Sequence, residues 1–212
     1  MQNFYIIGTD SGAGVTYVTC ALLRDLAARG MDAMGYKPVA CGDRKEAREI
    51  RTASGQENYR LEAINPVYLR TLAEPNVAAE FEHKSISLAE LVQGYEQLAS
   101  AHHIVLTDSC GGWETPLGAG VSVAHLAEAM ALPVIIVANN RPGAASLVKL
   151  TADAIRSRGL KCHGVILNHI SEEWSTASVT NAHVISELCN LPILAELIHG
   201  QDELDSCEIL GF

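Results

Sequence analysis

Residues 8 to 16, Gly8-Thr9-Asp10-Ser11-Gly12-Ala13-Gly14-Val15-Thr16, decide the fold. They follow the apolar run Phe4-Tyr5-Ile6-Ile7 and lead into a helical pattern that begins near Thr16. A strand, a glycine-rich loop and a helix in that order make an anion site, because glycines let the backbone approach a phosphate while N–H groups at the helix start point at it. In the usual loop of this kind a lysine then neutralises the β- and γ-phosphates; here Val15 stands in its place. Thr16 is the position whose hydroxyl reaches a magnesium ion. The plain alternative is a glycine-rich turn with no ligand, and the loop by itself does not choose between the two.

Working outward, short apolar runs at residues 3–8, 33–39, 103–108, 133–138, 161–168 and 192–197 read as strands covered on both faces. Helical patterns at residues 16–29, 43–53, 87–101, 122–130, 144–158 and 178–188 alternate with them. Ser87 with Glu90 three residues on is a capping-box signature, and Gly30 and Gly159 sit where helices end in a left-handed residue. The alternation predicts one doubly wound α/β domain over residues 1–212, a mostly parallel sheet with helices on both faces. Ligands in that architecture gather at the carboxyl ends of the strands. Residues 54–86, with Pro66 and Pro75 and little periodicity, read as an irregular excursion, and the tail from Gly200 has no assignment.

Bulk properties narrow the function classes. The chain has 212 residues, 48% of them hydrophobic and 19% charged, which excludes disorder and provides for a substantial core. A net charge of −10 without a basic block argues against a nucleic-acid partner. No apolar stretch approaches a membrane span, and the first residues lack the layout of a signal peptide. Six scattered cysteines with no CxxC pair read as reduced thiols of a cytoplasmic protein.

Two more strand ends carry candidate chemistry. Lys37, in Tyr36-Lys37-Pro38-Val39, is the best available cation beside a loop lacking its own, although a snorkelling surface lysine is the commoner case. Glu46, in the helix that follows, is placed to face the site or simply to be solvated. Asp108 ends an apolar strand, where a phosphate-bound magnesium finds a carboxylate; the alternative is a capped turn. Gly111-Gly112 leave N–H groups free to hold a substrate carboxylate.

Taken together these segments resemble the dethiobiotin synthetase family over nearly the full chain. The resemblance rests on Gly8-Thr9-Asp10-Ser11, Gly35-Tyr36-Lys37-Pro38-Val39-Ala40, Asn65-Pro66, Ala73-Glu74-Pro75 and Gly111-Gly112-Trp113-Glu114-Thr115-Pro116-Leu117. It implies a homodimer with a P-loop NTPase-like fold. It also implies an ATP- and magnesium-dependent ligase of biotin biosynthesis. Such an enzyme carboxylates 7,8-diaminopelargonic acid with bicarbonate or CO2, phosphorylates the carbamate and closes the ureido ring. By position, Gly12, Ala13, Gly14, Val15, Thr16 and Tyr17 would cradle the nucleotide, with Gly111 beside it, and Asn168 would read adenine. Lys37 would be catalytic, and Thr16, Glu46 and Asp108 would hold the metal. Ser11, Cys41 and Gly112 would contact substrate. The departures lie in the site: Val15 for lysine, Gly12 for a larger residue, Glu46 for aspartate, Asp108 for glutamate and Cys41 for serine. Near the C-terminus, Ile198-His199-Gly200 stands for a proline-containing adenine loop. The loss of the lysine leaves a second function open, a non-catalytic relative that binds a nucleotide or small carboxylate or serves as an interaction protein. A partition-type ATPase on the same fold needs an early signature lysine as well, and this loop has neither.

Overall fold

A computed structural model describes residues 3–201 and 203–212. In chain order the elements are β1 Phe4–Gly8, α1 Val15–Ala28, β2 Ala33–Tyr36, β3 Val39–Cys41, α2 Lys45–Ala53, α3 Leu61–Ile64, β4 Val67–Leu69, α4 Pro75–Phe81, α5 Leu88–Ala101, β5 Ile104–Gly112, β6 Pro116–Gly118, β7 Val121–Ser122, α6 Val123–Met130, β8 Val134–Asn139, α7 Ala144–Ser157, β9 Cys162–Asn168, α8 Thr176–Cys189, β10 Ile193–Leu197 and α9 Ser206–Leu210. Six strands form one parallel sheet in the order β10-β9-β8-β1-β5-β2. β1 lies between β5 and β8, so the loop that leaves it opens where the strand order reverses, the crevice in which this architecture places ligands. Every residue of β1 is buried, as a strand flanked on both faces requires. Ser87 caps α5 by accepting from the Glu90 N–H, as its spacing predicts.

Three segments differ from the sequence expectation. The strand expected at 33–39 breaks after Tyr36, because Pro38 has no N–H for the ladder. The Lys37 N–H is instead taken by the Ile64 carbonyl at 2.9 Å. The chain resumes as β3, which pairs in parallel with β4 in a separate two-stranded sheet. Residues 54–86 are therefore not irregular: they supply α3, β4 and α4, whose short lengths hide any period from a sequence window. The tail folds as α9, capped by Asp205 and held to α1 by Asp25, whose Oδ2 accepts from the Ser206 N–H and hydroxyl at 2.8 and 2.6 Å. All six cysteines are free thiols.

Candidate active site

The loop after β1 closes on itself and on its neighbours. The Thr9 N–H donates to Val137 O (3.0 Å) and Asp10 receives the Arg141 guanidinium at 2.7 Å. Gly14 caps α1 at φ 87, a left-handed conformation, and a Cβ there would run into the Asn168 side chain. The loop therefore needs glycine twice over, once for backbone and once for space. Asn168 Nδ2 donates to Ala13 O at 3.1 Å, bracing the loop from β9. Asn168, which the resemblance makes the adenine-reading residue, gives one amide N–H to the phosphate loop and is not among the residues lining the cavity. The Val15 side chain is almost buried and crowds Gly8 at the end of β1.

Across the loop, Lys37 is 3% exposed, so the snorkelling alternative does not hold. Its Nζ lies 2.8 Å from Glu46 Oε2, 3.2 Å from Asp108 Oδ2, 3.0 Å from Ser109 O and 3.4 Å from Thr16 Oγ1. The Thr16 hydroxyl donates to the same Asp108 oxygen at 2.7 Å. Burial by itself would lower the Lys37 pKa, but the Asp108 and Glu46 carboxylates outweigh it and hold the group well above its ordinary value, as an ammonium. Burial pushes Asp108 upward against the pull of Lys37 and Thr16. Register explains the meeting: Ile6 pairs with Asp108 across β1 and β5, and Tyr36 pairs with Thr107 across β2 and β5. Lys37 therefore follows its strand at the level of Asp108.

These groups open onto a cavity of about 1310 Å³. Of the residues singled out in the sequence, Ser11, Gly12, Gly14, Val15, Thr16, Tyr17, Lys37, Cys41, Glu46 and Gly111 line it. Ala13, Asp108, Gly112 and Asn168 stand behind that lining. Gly112 pairs with Gly8 after a shift in the β1–β5 register and accepts from the Thr115 N–H at 3.1 Å, which places it beside the loop. Burial, reinforced by Glu74 and Glu82, pushes the Cys41 thiol up to about 11; it meets a ligand as a neutral thiol.

Several residues escaped the sequence reading. Asn65 is fully buried and its Nδ2 donates to Lys37 O at 2.9 Å and Val67 O at 3.0 Å, while its Oδ1 accepts from Arg44 Nε at 3.0 Å. It fixes the backbone that presents Lys37. The Asn-Pro pair is visible in the sequence, but nothing local says that it faces Lys37. Arg70, at the end of β4, brings an exposed guanidinium to the cavity from the stretch expected to be irregular.

A magnesium ion takes oxygen ligands and keeps several waters, using one or two carboxylates plus phosphate oxygens. The residues fit that demand: Asp108 Oδ1 is buried with no hydrogen-bond partner, and the Thr16 hydroxyl and the Glu46 carboxylate stand beside the same ammonium. Among the described residues no group of three or more His, Cys, Asp or Glu is placed to hold a metal ion.

Fold and site together define a phosphate-loop α/β protein. Aquifex aeolicus MinD superposes with a TM-score of 0.62 at 15% identity, covering 94% of this chain and 83% of that one. A ParA family ATPase from Chlorobium tepidum superposes at 0.60 with 12% identity, covering 95% and 86%. Both show the fold alone. A family model described as an AAA domain matches residues 2–201. The ATP-dependent dethiobiotin synthetase of Akkermansia muciniphila is 43% identical over 97% of this chain and 96% of its own length. That of Anaeromyxobacter dehalogenans is 37% identical over 100% and 96%. The chain belongs to the dethiobiotin synthetase family.

Proposed function

We propose that the chain is an ATP-dependent cyclo-ligase that forms dethiobiotin from 7,8-diaminopelargonic acid and CO2 or bicarbonate. The observation that carries this reading is the buried Lys37 ammonium, held between Asp108, Glu46 and Thr16 where the cavity meets the phosphate loop. One amine of the substrate takes up CO2 and becomes a carbamate, an anion that a fixed ammonium holds and orients. The carbamate oxygen then attacks the γ-phosphorus of ATP, ADP leaves, and the second amine displaces phosphate to close the ring. Lys37 faces charge throughout, on the carbamate first and on the transferring phosphoryl group afterwards. Backbone N–H groups of residues 12 to 17 cradle the phosphates, the part of the usual loop that survives without its lysine. Thr16, Asp108 and Glu46 would hold magnesium, which neutralises phosphate charge when bound. Cys41 and Gly111 face the space left for the diamine and the terminal phosphate.

A homodimer is part of the same reading. Leu72 lines the cavity and is 87% exposed, and Phe81 on α4 is 73% exposed, apolar surface that a second copy would cover. No helix among the described residues is long and apolar enough to cross a membrane.

The test is ADP release by purified protein with magnesium, ATP, bicarbonate and the diamine. Turnover that requires all four and vanishes in Lys37→Ala supports the reading. ATP binding without turnover would instead favour the binding-only relative that Val15 suggests.

A further inference from the structure

Tyr17 follows Thr16 directly, in the first turn of α1, yet the two side chains serve opposite ends of the cavity. Thr16 turns toward Asp108, whereas the Tyr17 hydroxyl donates to Gln201 O at 2.6 Å, in the segment after β10. The sheet order puts β2 and β10 on its two outer edges with β1 between them. Lys37 therefore approaches the loop from one side and the 198–201 turn from the other. Tyr17 and Gly200 both line the cavity, and the Tyr17 residue is 39% exposed in spite of its tether.

The turn that Tyr17 touches is well fixed. The Gln201 N–H donates to Ile198 O at 2.9 Å, and the Gln201 side chain accepts from the Ile198 N–H at 3.3 Å. Beyond it the chain is clamped to the same helix, through Asp25 to Ser206 and through Arg29 Nη2 to Asp205 at 3.2 Å. α1 thus carries the phosphate cradle at its N-terminus and holds the far wall of the cavity along its flank. A nucleotide seated on the loop with its phosphates toward Lys37 would extend its base toward the side of the cavity lined by Tyr17 and Gly200.

We propose that Tyr17 is the nucleobase-positioning residue: a purine stacks on its ring, and its hydroxyl bond to Gln201 O sets the angle of the ring and closes the C-terminal turn against the base. The inference rests on the nucleotide reading above and goes further, since it gives the side chain of Tyr17 a role apart from the backbone cradle. Stacking needs only an exposed π-face, so it supplies affinity without any hydrogen-bond readout. It also supplies affinity at the base end, where the absence of the loop lysine does not reach.

Calorimetric titration with magnesium-ATP and, separately, with inorganic tripolyphosphate tests this on the full chain. Tyr17→Ala should weaken ATP about tenfold, the scale of one lost base stack, and leave tripolyphosphate unchanged. Tyr17→Leu, which keeps bulk without a π-face, should behave like Tyr17→Ala. Tyr17→Phe, which keeps the ring and loses the tether, should weaken ATP by only about twofold to threefold. Unchanged ATP binding in Tyr17→Ala and Tyr17→Leu overturns the inference while leaving the nucleotide reading standing. So does an equal loss for ATP and tripolyphosphate, which would mark Tyr17 as a support of the phosphate loop. Wild-type protein that binds neither ligand removes both the inference and the reading beneath it.

Discussion

The phosphate loop and the Lys37 cluster meet at Thr16 on one cavity, and they differ in what they present to it. The loop has kept its shape and lost its side-chain charge: Gly14 is left-handed, Asn168 braces the Ala13 carbonyl, and Val15 is apolar. The cluster concentrates charge in a small volume, with two carboxylates and one hydroxyl around an ammonium. Backbone geometry is held by many contacts, so it tolerates one changed side chain. A charge centre depends on each member. On the proposed function, Val15 would leave the loop as a binding surface, and the chemistry would depend on Lys37.

Removing Lys37 is the hardest test of that division. Lys37→Met should lower turnover by at least about 10³-fold, since a group facing the transferring charge is lost. It should also destabilise the fold by about 3 kcal/mol, because Asp108 is left buried without its counter-ion. Adding Asp108→Asn should recover most of the stability, read by urea unfolding, and none of the turnover. Recovery of both would make the cluster merely structural.

Restoring charge to the loop sharpens the comparison from the other side. Val15→Lys should tighten ATP roughly tenfold or more, the worth of one charge-assisted bond to phosphate. Equal affinity in the two proteins would mean that another cation, such as Arg70, already meets the phosphates. Loop shape comes next in size. Gly14→Ala forces a Cβ into Asn168 at a positive φ and should cost about 1–2 kcal/mol, seen as a lower thermal midpoint, with ATP binding weakened in parallel.

The smallest effect is expected far from the cavity, at the clamp between α1 and α9. Burial pushes Asp25 upward, but its bonds from Ser206 and Arg29 win and hold it below its ordinary 3.8. A depressed carboxylate contributes stability at neutral pH that is lost as pH falls through the folded value. Asp25→Asn should therefore lower the thermal midpoint slightly at neutral pH, a loss of at most about 1 kcal/mol in stability, and the gap should close as pH falls below the carboxyl's ordinary 3.8 and through its lowered folded value.

Much of this was legible in the chain itself, for reasons that can be placed on particular residues. Val134 to Val137 form an unbroken apolar run, and its short length and β-branched content suit a strand covered on both faces. Lys37 and Asp108 each stand at the end of such a run, and parallel strands bring their ends to one edge. Residues 54–86 were not legible, because α3, β4 and α4 are each too short to show a period, and β4 exists only by pairing with β3. The reach of Asn65 back to Lys37, across 28 positions, leaves no local trace.

The sequence by itself determined the parallel sheet, the phosphate loop and its missing lysine, since periodicity, glycine placement and residue identity are all local properties. Tertiary structure alone decided that Glu46 joins Lys37, that Asn168 serves the loop, and that Tyr17 ties the C-terminal turn to the cavity. Each of those depends on where a side chain meets a distant partner, and only the packed chain sets such distances.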